Sequence, residues 1–290
     1  MDNILFLYKE LRGKTYRHGS YSAFKINDPK PRDIHKASVA DRIIHHAIYR
    51  ILYPYFDKKF IYDSYSCRND KGTHKAIDRF RFMARKVSKN NSKTVWVLKC
   101  DIKKFFATIN HRILKDILKR HILDEDIFWL LENVVDSFNT KDNARNGLPL
   151  GNVTSQLLIN VYMNEFDQFI KRKLTVKYYI RYADDFVILD RDKNYLIDLI
   201  SKISDFLNTE LKLSMHENKV YIKTLSSGVD FLGWVHFPYH RVLRTATKRR
   251  MFKRLQQNNY LQQSLNSYLG LLKHGNTYKL IKKINKRDIS

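Results

Sequence analysis

The 290-residue sequence is poor in the residues that staple, break or anchor a chain. Its 2 cysteines exclude a disulfide framework and a four-thiolate zinc site. Cys67 and Cys100 stand far apart and match no metal-ligand spacing with His74 or His111, so both read as reduced, mostly buried thiols of a cytoplasmic protein. With 9 glycines and 5 prolines there is little material for linkers or low-complexity tails, and no internal repeat is visible. No apolar run approaches the ~18 residues of a membrane span. The opening MDNILFLYKELRGK is too charged for a secretory signal. Acidic residues are few: 29 Asp and Glu against 54 Lys and Arg leave a net charge of +25. That imbalance implies a polyanionic partner, either nucleic acid or an anionic membrane surface. A membrane-surface helix would need exposed large apolar residues, and the basic tail KRRMFKRLQQNNYLQQ has few.

What is present is a globular balance, 43% hydrophobic and 29% charged. The length suits one or two domains with a sizeable core. Residues 1–35 read as irregular and basic, with Pro29 and Pro31 in an extended segment. Ser38 is placed to cap a helix through Ile43, Ala47, Ile48 and Leu52 that Pro54 should stop. A loop punctuated by Gly72 leads to a helix through Ile77, Phe80 and Val87. TVWVLKC (94–100) is β-branched and aromatic and reads as a strand. Helices follow near 111–121 and 126–138, then a loop over 139–152 and a long helix from Thr154. VKYYIRY (176–182) and FVILD (186–190) have hairpin spacing, residues 193–212 are helical, and KVYIK, VDFLGWV and RVLR are short strands. From Thr245 onward the chain is helical and very basic. With no regular βαβ alternation, this order predicts an α+β fold around antiparallel strands.

The sharpest feature is Tyr182-Ala183-Asp184-Asp185, two adjacent carboxylates in the turn of an apolar hairpin. Two like charges side by side repel, and a bound cation offsets that cost best. Asp101 ends the strand TVWVLKC and precedes Phe105 and Phe106. If the two strands are neighbours, three carboxylates meet at one sheet end. Oxygen ligands of this kind suit Mg²⁺, and two such ions clamp the oxygens of an in-line phosphoryl transfer. The plainer reading is a solvated turn beside an unrelated strand-end Asp.

Seven motifs in order decide between them. PKPRDIHKASVADRIIHHAI, SYSCRNDKGTHKAIDRF, KCDIKKFFATINH, GLPLGNVTSQLLINVYMNEFD, RYADDFVIL, LKLSMHENK and DFLGW together resemble the prokaryotic reverse transcriptases, RNA-directed DNA polymerases, over nearly the whole length. The resemblance implies a right-hand polymerase fold, with fingers and an antiparallel-sheet palm over 1–240 and a helical thumb over 241–290. It implies two Mg²⁺ ions held by Asp101, the Ile102 carbonyl and Asp184, with Asp185 as an outer or weaker ligand. Phe106 becomes the steric gate that rejects a 2′-hydroxyl. Arg32 and Arg68 become candidates for the incoming triphosphate, since guanidinium groups match phosphate oxygens bidentately. Lys219 would protonate the pyrophosphate leaving group or line the groove. Phe231, Gly233 and Trp234 would hold the primer end, and Lys248, Arg249 and Arg250 the template–primer backbone. The partners implied are template RNA, nascent cDNA and deoxynucleoside triphosphates.

The fourth motif departs from the common pattern. Leu150 stands where Gln is usual and Gln156 where Pro is usual, which resembles the enzymes of diversity-generating retroelements, error-prone at template adenines and often served by a small basic accessory protein. Retron, group II intron and phage-defence reverse transcriptases are the alternatives, and an RNA-binding protein without catalysis is the reading from another class. Against full-length relatives, the chain is expected to begin about one helical hairpin late. No ribonuclease H or endonuclease module is expected after Thr245.

Overall fold

The computed structural model describes residues 2–27, 31–140 and 145–285. In chain order they form helix α1 (Asp2–Arg12), a hairpin of β1 (Ser22–Ile26) and β2 (Arg32–Lys36), helices α2 (Val39–Asp57) and α3 (Thr73–Val87), and strand β3 (Trp96–Asp101). Helices α4 (Phe105–Thr108), α5 (His111–Lys119), α6 (Glu125–Asp136) and α7 (Val153–Gln168) follow, then strands β4 (Tyr179–Tyr182) and β5 (Asp185–Asp190). Helix α8 (Lys193–Glu210), strands β6 (Tyr221–Thr224), β7 (Val229–Phe231), β8 (Trp234–His236) and β9 (Arg241–Leu243), and helices α9 (Thr245–Gln257), α10 (Gln262–Leu272) and α11 (Tyr278–Asn285) complete the order.

The centre is a four-stranded antiparallel sheet in the order β4-β5-β3-β6. Alternate residues of its strands serve two cores, as the period of two demands. Leu98, Cys100, Tyr179, Phe186 and Ile188 pack with α7 and α8 on one face. Val97, Ile180, Val187 and Leu189 pack with α3 and β7 on the other. Burial on both faces is why these strands read as nearly continuous apolar runs. A second antiparallel sheet, β7-β8-β9, carries Trp234 and Leu243 into a third core with Met251, Leu255, Leu265 and Leu272 of the terminal helices. The α+β class and the antiparallel sheet are as expected.

Several local expectations fail. Residues 1–35 are not irregular: they hold α1 and the β1–β2 hairpin, while Pro29 lies outside the described residues. Ser38 does cap α2, accepting from the Asp41 amide, but Pro54 does not end the helix. Pro54 sits in the last turn, and burial of Phe56 at 2% exposure holds that turn helical. Cys67 is exposed, and only Cys100 is buried. VDFLGWV is a hairpin, with β7 and β8 joined by a two-residue turn at Leu232 (φ +51°) and Gly233 (φ +85°). Positive φ at both positions matches the right-handed twist of the flanking strands. Residues 240 and 241 lie at the end of the turn that joins the paired strands β8 and β9, and the terminal helices begin at Thr245.

Candidate active site

The sheet register builds the site. Strand β3 pairs with β5 so that Asp101 lies opposite Asp185, and the Ile102 amide donates to the Asp184 carbonyl at 3.1 Å. Directly opposed residues of an antiparallel pair have Cβ atoms about 4.5–5.5 Å apart, so the three carboxylates share one end of the sheet. Only Ala183 and Asp184 form the turn, since Asp185 already belongs to β5. Ala183 has φ +55°, a left-handed conformation that tightens the turn and presents Asp184.

A buried guanidinium holds that turn. Arg181 has 0% exposure and donates to both carboxylate oxygens of Asp167, at 2.8 and 2.7 Å, to Ser64 Oγ at 3.0 Å and to the Ala183 carbonyl at 3.1 Å. Tyr179 adds a third hydrogen bond to Asp167 at 2.7 Å. Sequence reasoning missed this network, although a lone cation in the apolar strand YYIRY was its signal.

The carboxylates sit among cations. Lys219 Nζ lies 2.6 Å from Asp101 Oδ1, and Lys99 Nζ lies 3.2 Å from Asp185 Oδ2. Lys99, also missed, shares the Asp101 face because it stands two residues earlier on the strand. Burial pushes the Asp185 carboxyl up to about 7, with Lys99 pulling down and Asp101 and Asp184 pushing further up. Burial and the charge of Asp101 also raise Asp184, against the opposite pull of Lys219 and Arg32. The structure thus brings Asp101, Asp184, Asp185, Lys219 and the charge of Arg32 into one electrostatic unit. Among the described residues no three His, Cys, Asp or Glu side chains form a ready metal cage. The donors present are all oxygen, and the buried Asp185 Oδ1 has no hydrogen-bond partner.

The loop before α7 is tied to this site and to the β1–β2 hairpin. The Leu148 amide donates to the Phe106 carbonyl at 2.8 Å, which sets the half-buried Phe106 beside that loop. On its other side the His35 amide donates to the Leu150 carbonyl at 2.9 Å, and Asn152 Nδ2 to the His35 carbonyl at 3.0 Å. Gly151, at φ +113°, lies so close to Ile34 that a Cβ would meet its Cγ2 at 2.8 Å. Leu150 is half-buried, and Gln156 is exposed on the first turn of α7.

Two expected contacts do not form as read. Arg68 gives its donors to Asp57 Oδ1 at 2.7 Å and to the carbonyls of Ile61, Ser64 and Asp57, so it braces the loop instead of facing a triphosphate. Phe231 and Trp234 have 0% and 1% exposure and are core residues. Only the Leu232–Gly233 turn of that hairpin remains for a primer end. Lys248, Arg249 and Arg250 lie in the first two turns of α9, where Arg249 is exposed and Lys248 and Arg250 are half-buried.

The sequence model described as "Reverse transcriptase (RNA-dependent DNA polymerase)" matches residues 25–236. The chain belongs to the reverse transcriptase family. Protein YkfC of Escherichia coli K12 is 26% identical over 255 residues, covering 76% of this chain and 65% of YkfC. The group II intron-encoded protein LtrA of Lactococcus lactis subsp. cremoris is 22% identical over 295 residues, covering 79% of this chain and 47% of LtrA. This reverse transcriptase chain therefore spans less than two thirds of either relative. Among solved structures, apo telomerase from Candida tropicalis, truncated from its C-terminal domain, superposes with a TM-score of 0.59 at 14% identity, covering 83% of this chain and 60% of that one. The likeness shows the right-hand polymerase fold.

The α9 cluster yields a direct test. Replacing Lys248, Arg249 and Arg250 together with alanine is expected to flatten the log–log salt dependence of template–primer binding by about 0.7–0.9 unit per lost phosphate contact. Filter-binding titrations across a salt series measure it. An unchanged slope would leave the cluster as a solvated face.

Proposed function

We propose that this chain is the catalytic unit of an RNA-directed DNA polymerase, extending a DNA primer with deoxynucleoside triphosphates on an RNA template. The observation that carries it is the pairing of Asp101 against the Asp184–Asp185 strand end in a chain of net charge +25. Cationic surface holds the polyanions, and carboxylates gather where the chemistry occurs.

Asp101, Asp184 and the Ile102 carbonyl would hold two Mg²⁺ ions. Carboxylates that leave positions for phosphate oxygens are the donor set Mg²⁺ accepts, and the oxygen donors here, with Asp185 as an outer or weaker ligand, fit it. Bound there, such ions would supply Lewis-acid charge stabilisation for phosphoryl transfer. In the reaction the primer 3′-hydroxyl would lose its proton to solvent and attack the α-phosphorus, forming the new oxygen–phosphorus bond as the bond from the α-phosphorus to the pyrophosphate oxygen breaks. Lys219, beside Asp101, would give the leaving pyrophosphate a proton or line the groove. Arg32 would bind the triphosphate. Phe106, anchored through its carbonyl to Leu148, would stand under the sugar and exclude a 2′-hydroxyl.

Within the family we read the chain as the diversity-generating type, served by a template RNA and an accessory protein of its element. Leu150 and Gln156 support that reading. The likeness to LtrA, an intron-encoded protein by name, supports the group II intron alternative. An aliphatic residue at 150 removes a hydrogen bond worth about 0.5–1.5 kcal/mol, up to roughly tenfold in discrimination. Copying a defined RNA and sequencing the cDNA tests it. Errors should concentrate at template adenines and fall up to about tenfold in Leu150→Gln. A uniformly low error rate at all four template bases would leave the group II intron type.

A further inference from the structure

Outside the catalytic end of the sheet, one surface combines exposed rings with fixed cations. Tyr62 is 68% exposed and Phe82 48%. Lys71 Nζ lies 3.5 Å from the Tyr62 ring centre, Arg79 lies 5.3 Å from Tyr62 and 5.0 Å from Phe82, and Lys86 lies 5.6 Å from Phe82. With Lys71 also 5.1 Å from the buried Tyr65 ring, five such contacts fall between residues 62 and 86. The order in space is Lys71, Tyr62, Arg79, Phe82, Lys86, with cations and rings alternating.

Two features make this a built surface instead of loose side chains. Arg79 is fixed by Asp63, which is 8% exposed and accepts from Arg79 Nε at 2.8 Å. Residues 75, 79, 82 and 86 follow helical spacing along one side of α3, whose other side buries Ala76, Ile77, Phe80 and Met83. From residue 75 to 86 the row is about 16 Å long, the span of several nucleotides. The charge is cationic: residues 62–89 hold eight Lys and Arg against three acids, of which Asp63 pairs with Arg79 and Asp78 pairs with Arg241 at 3.1 Å. The row begins beside the catalytic turn, where Thr73 Oγ1 donates to the Tyr182 hydroxyl at 3.1 Å.

We propose that this outer face of α3 binds single-stranded RNA, with Tyr62 and Phe82 stacking on unpaired bases and Lys71, Arg79 and Lys86 meeting phosphates. Every base has a face to stack, and the alternating cations match an alternation of base and phosphate. A flat acidic protein surface would use the charges but leave both rings in water. The choice of RNA over DNA rests on the proposed activity; the surface itself does not.

The test uses the full chain and a fluorescein-labelled 30-nucleotide oligouridylate, read by anisotropy. Tyr62→Ala with Phe82→Ala is expected to raise Kd at least about tenfold. Primer extension on a short pre-annealed hybrid should stay at the wild-type rate. Tyr62→Leu with Phe82→Leu keeps apolar bulk without aromatic faces and controls for folding. It should bind as weakly as the alanine pair, with an unchanged circular dichroism spectrum. Wild-type affinity in either pair overturns the proposal. Loss of primer extension in the wild-type chain would instead count against the polymerase reading, so the two failures are distinct.

Discussion

Asp184→Asn should reduce primer extension by about a thousandfold or more, while affinity for the template–primer stays within about twofold. The amide keeps the shape of the carboxylate and removes its charge. Charge stabilisation at such a centre amounts to several kcal/mol, and each 1.36 kcal/mol is a factor of ten. Affinity is set elsewhere, by a surface carrying 54 Lys and Arg residues. Single-turnover extension and equilibrium binding on the same hybrid separate the two effects. Extension within tenfold of wild type would remove Asp184 from the catalytic assignment. Asp101→Asn should behave alike, because Asp101 and Asp184 feel each other's charge and both stand at the sheet end.

The second large effect belongs to a residue that touches no substrate. Arg181→Ala should destabilise the fold by about 3–5 kcal/mol, since it leaves the Asp167 carboxylate buried without its partner. The melting temperature should fall by roughly 10 °C or more. Thermal unfolding followed by circular dichroism reads it. Arg181 also holds the Ala183 carbonyl, so the less disruptive Arg181→Lys should lower the extension rate more than it lowers stability. Arg181→Lys with wild-type activity would confine the residue to a structural role.

The meeting of carboxylates at one end of the sheet was legible from the sequence because its signals are local. A strand of TVWVLKC with a terminal Asp, and two carboxylates between apolar strands, need no knowledge of distant residues. The α2 cap was legible for the same reason, as Ser38 and Asp41 are three residues apart. What failed was decided by tertiary partners. Strand β1 is exposed at all five positions, so it shows no alternation to read. In α1, Leu7 is buried while Ile4, Leu5, Phe6 and Tyr8 are exposed, which hides the amphipathic stripe. Arg68 looked free for phosphate until the end of α2 brought Asp57 to it. Phe231 and Trp234 looked like a primer grip, yet the terminal helices cover the Trp234 ring, against which Gly275 has no room for a Cβ. Lys99 and Arg181 went unread because a single buried cation in a strand acquires meaning only when its carboxylate is placed.

The ties between His35, Leu150 and Asn152 bear on how members of this family can be recombined. Residues 22–36 and 147–156 are separated by more than a hundred positions, yet they exchange two hydrogen bonds and leave no gap at Gly151. A chimera that imports the loop before α7 from another member of the family without the matching hairpin would join backbones never fitted to each other. Its error rate would then report the mismatch as much as the imported side chains. The two segments form one cassette, to be exchanged together.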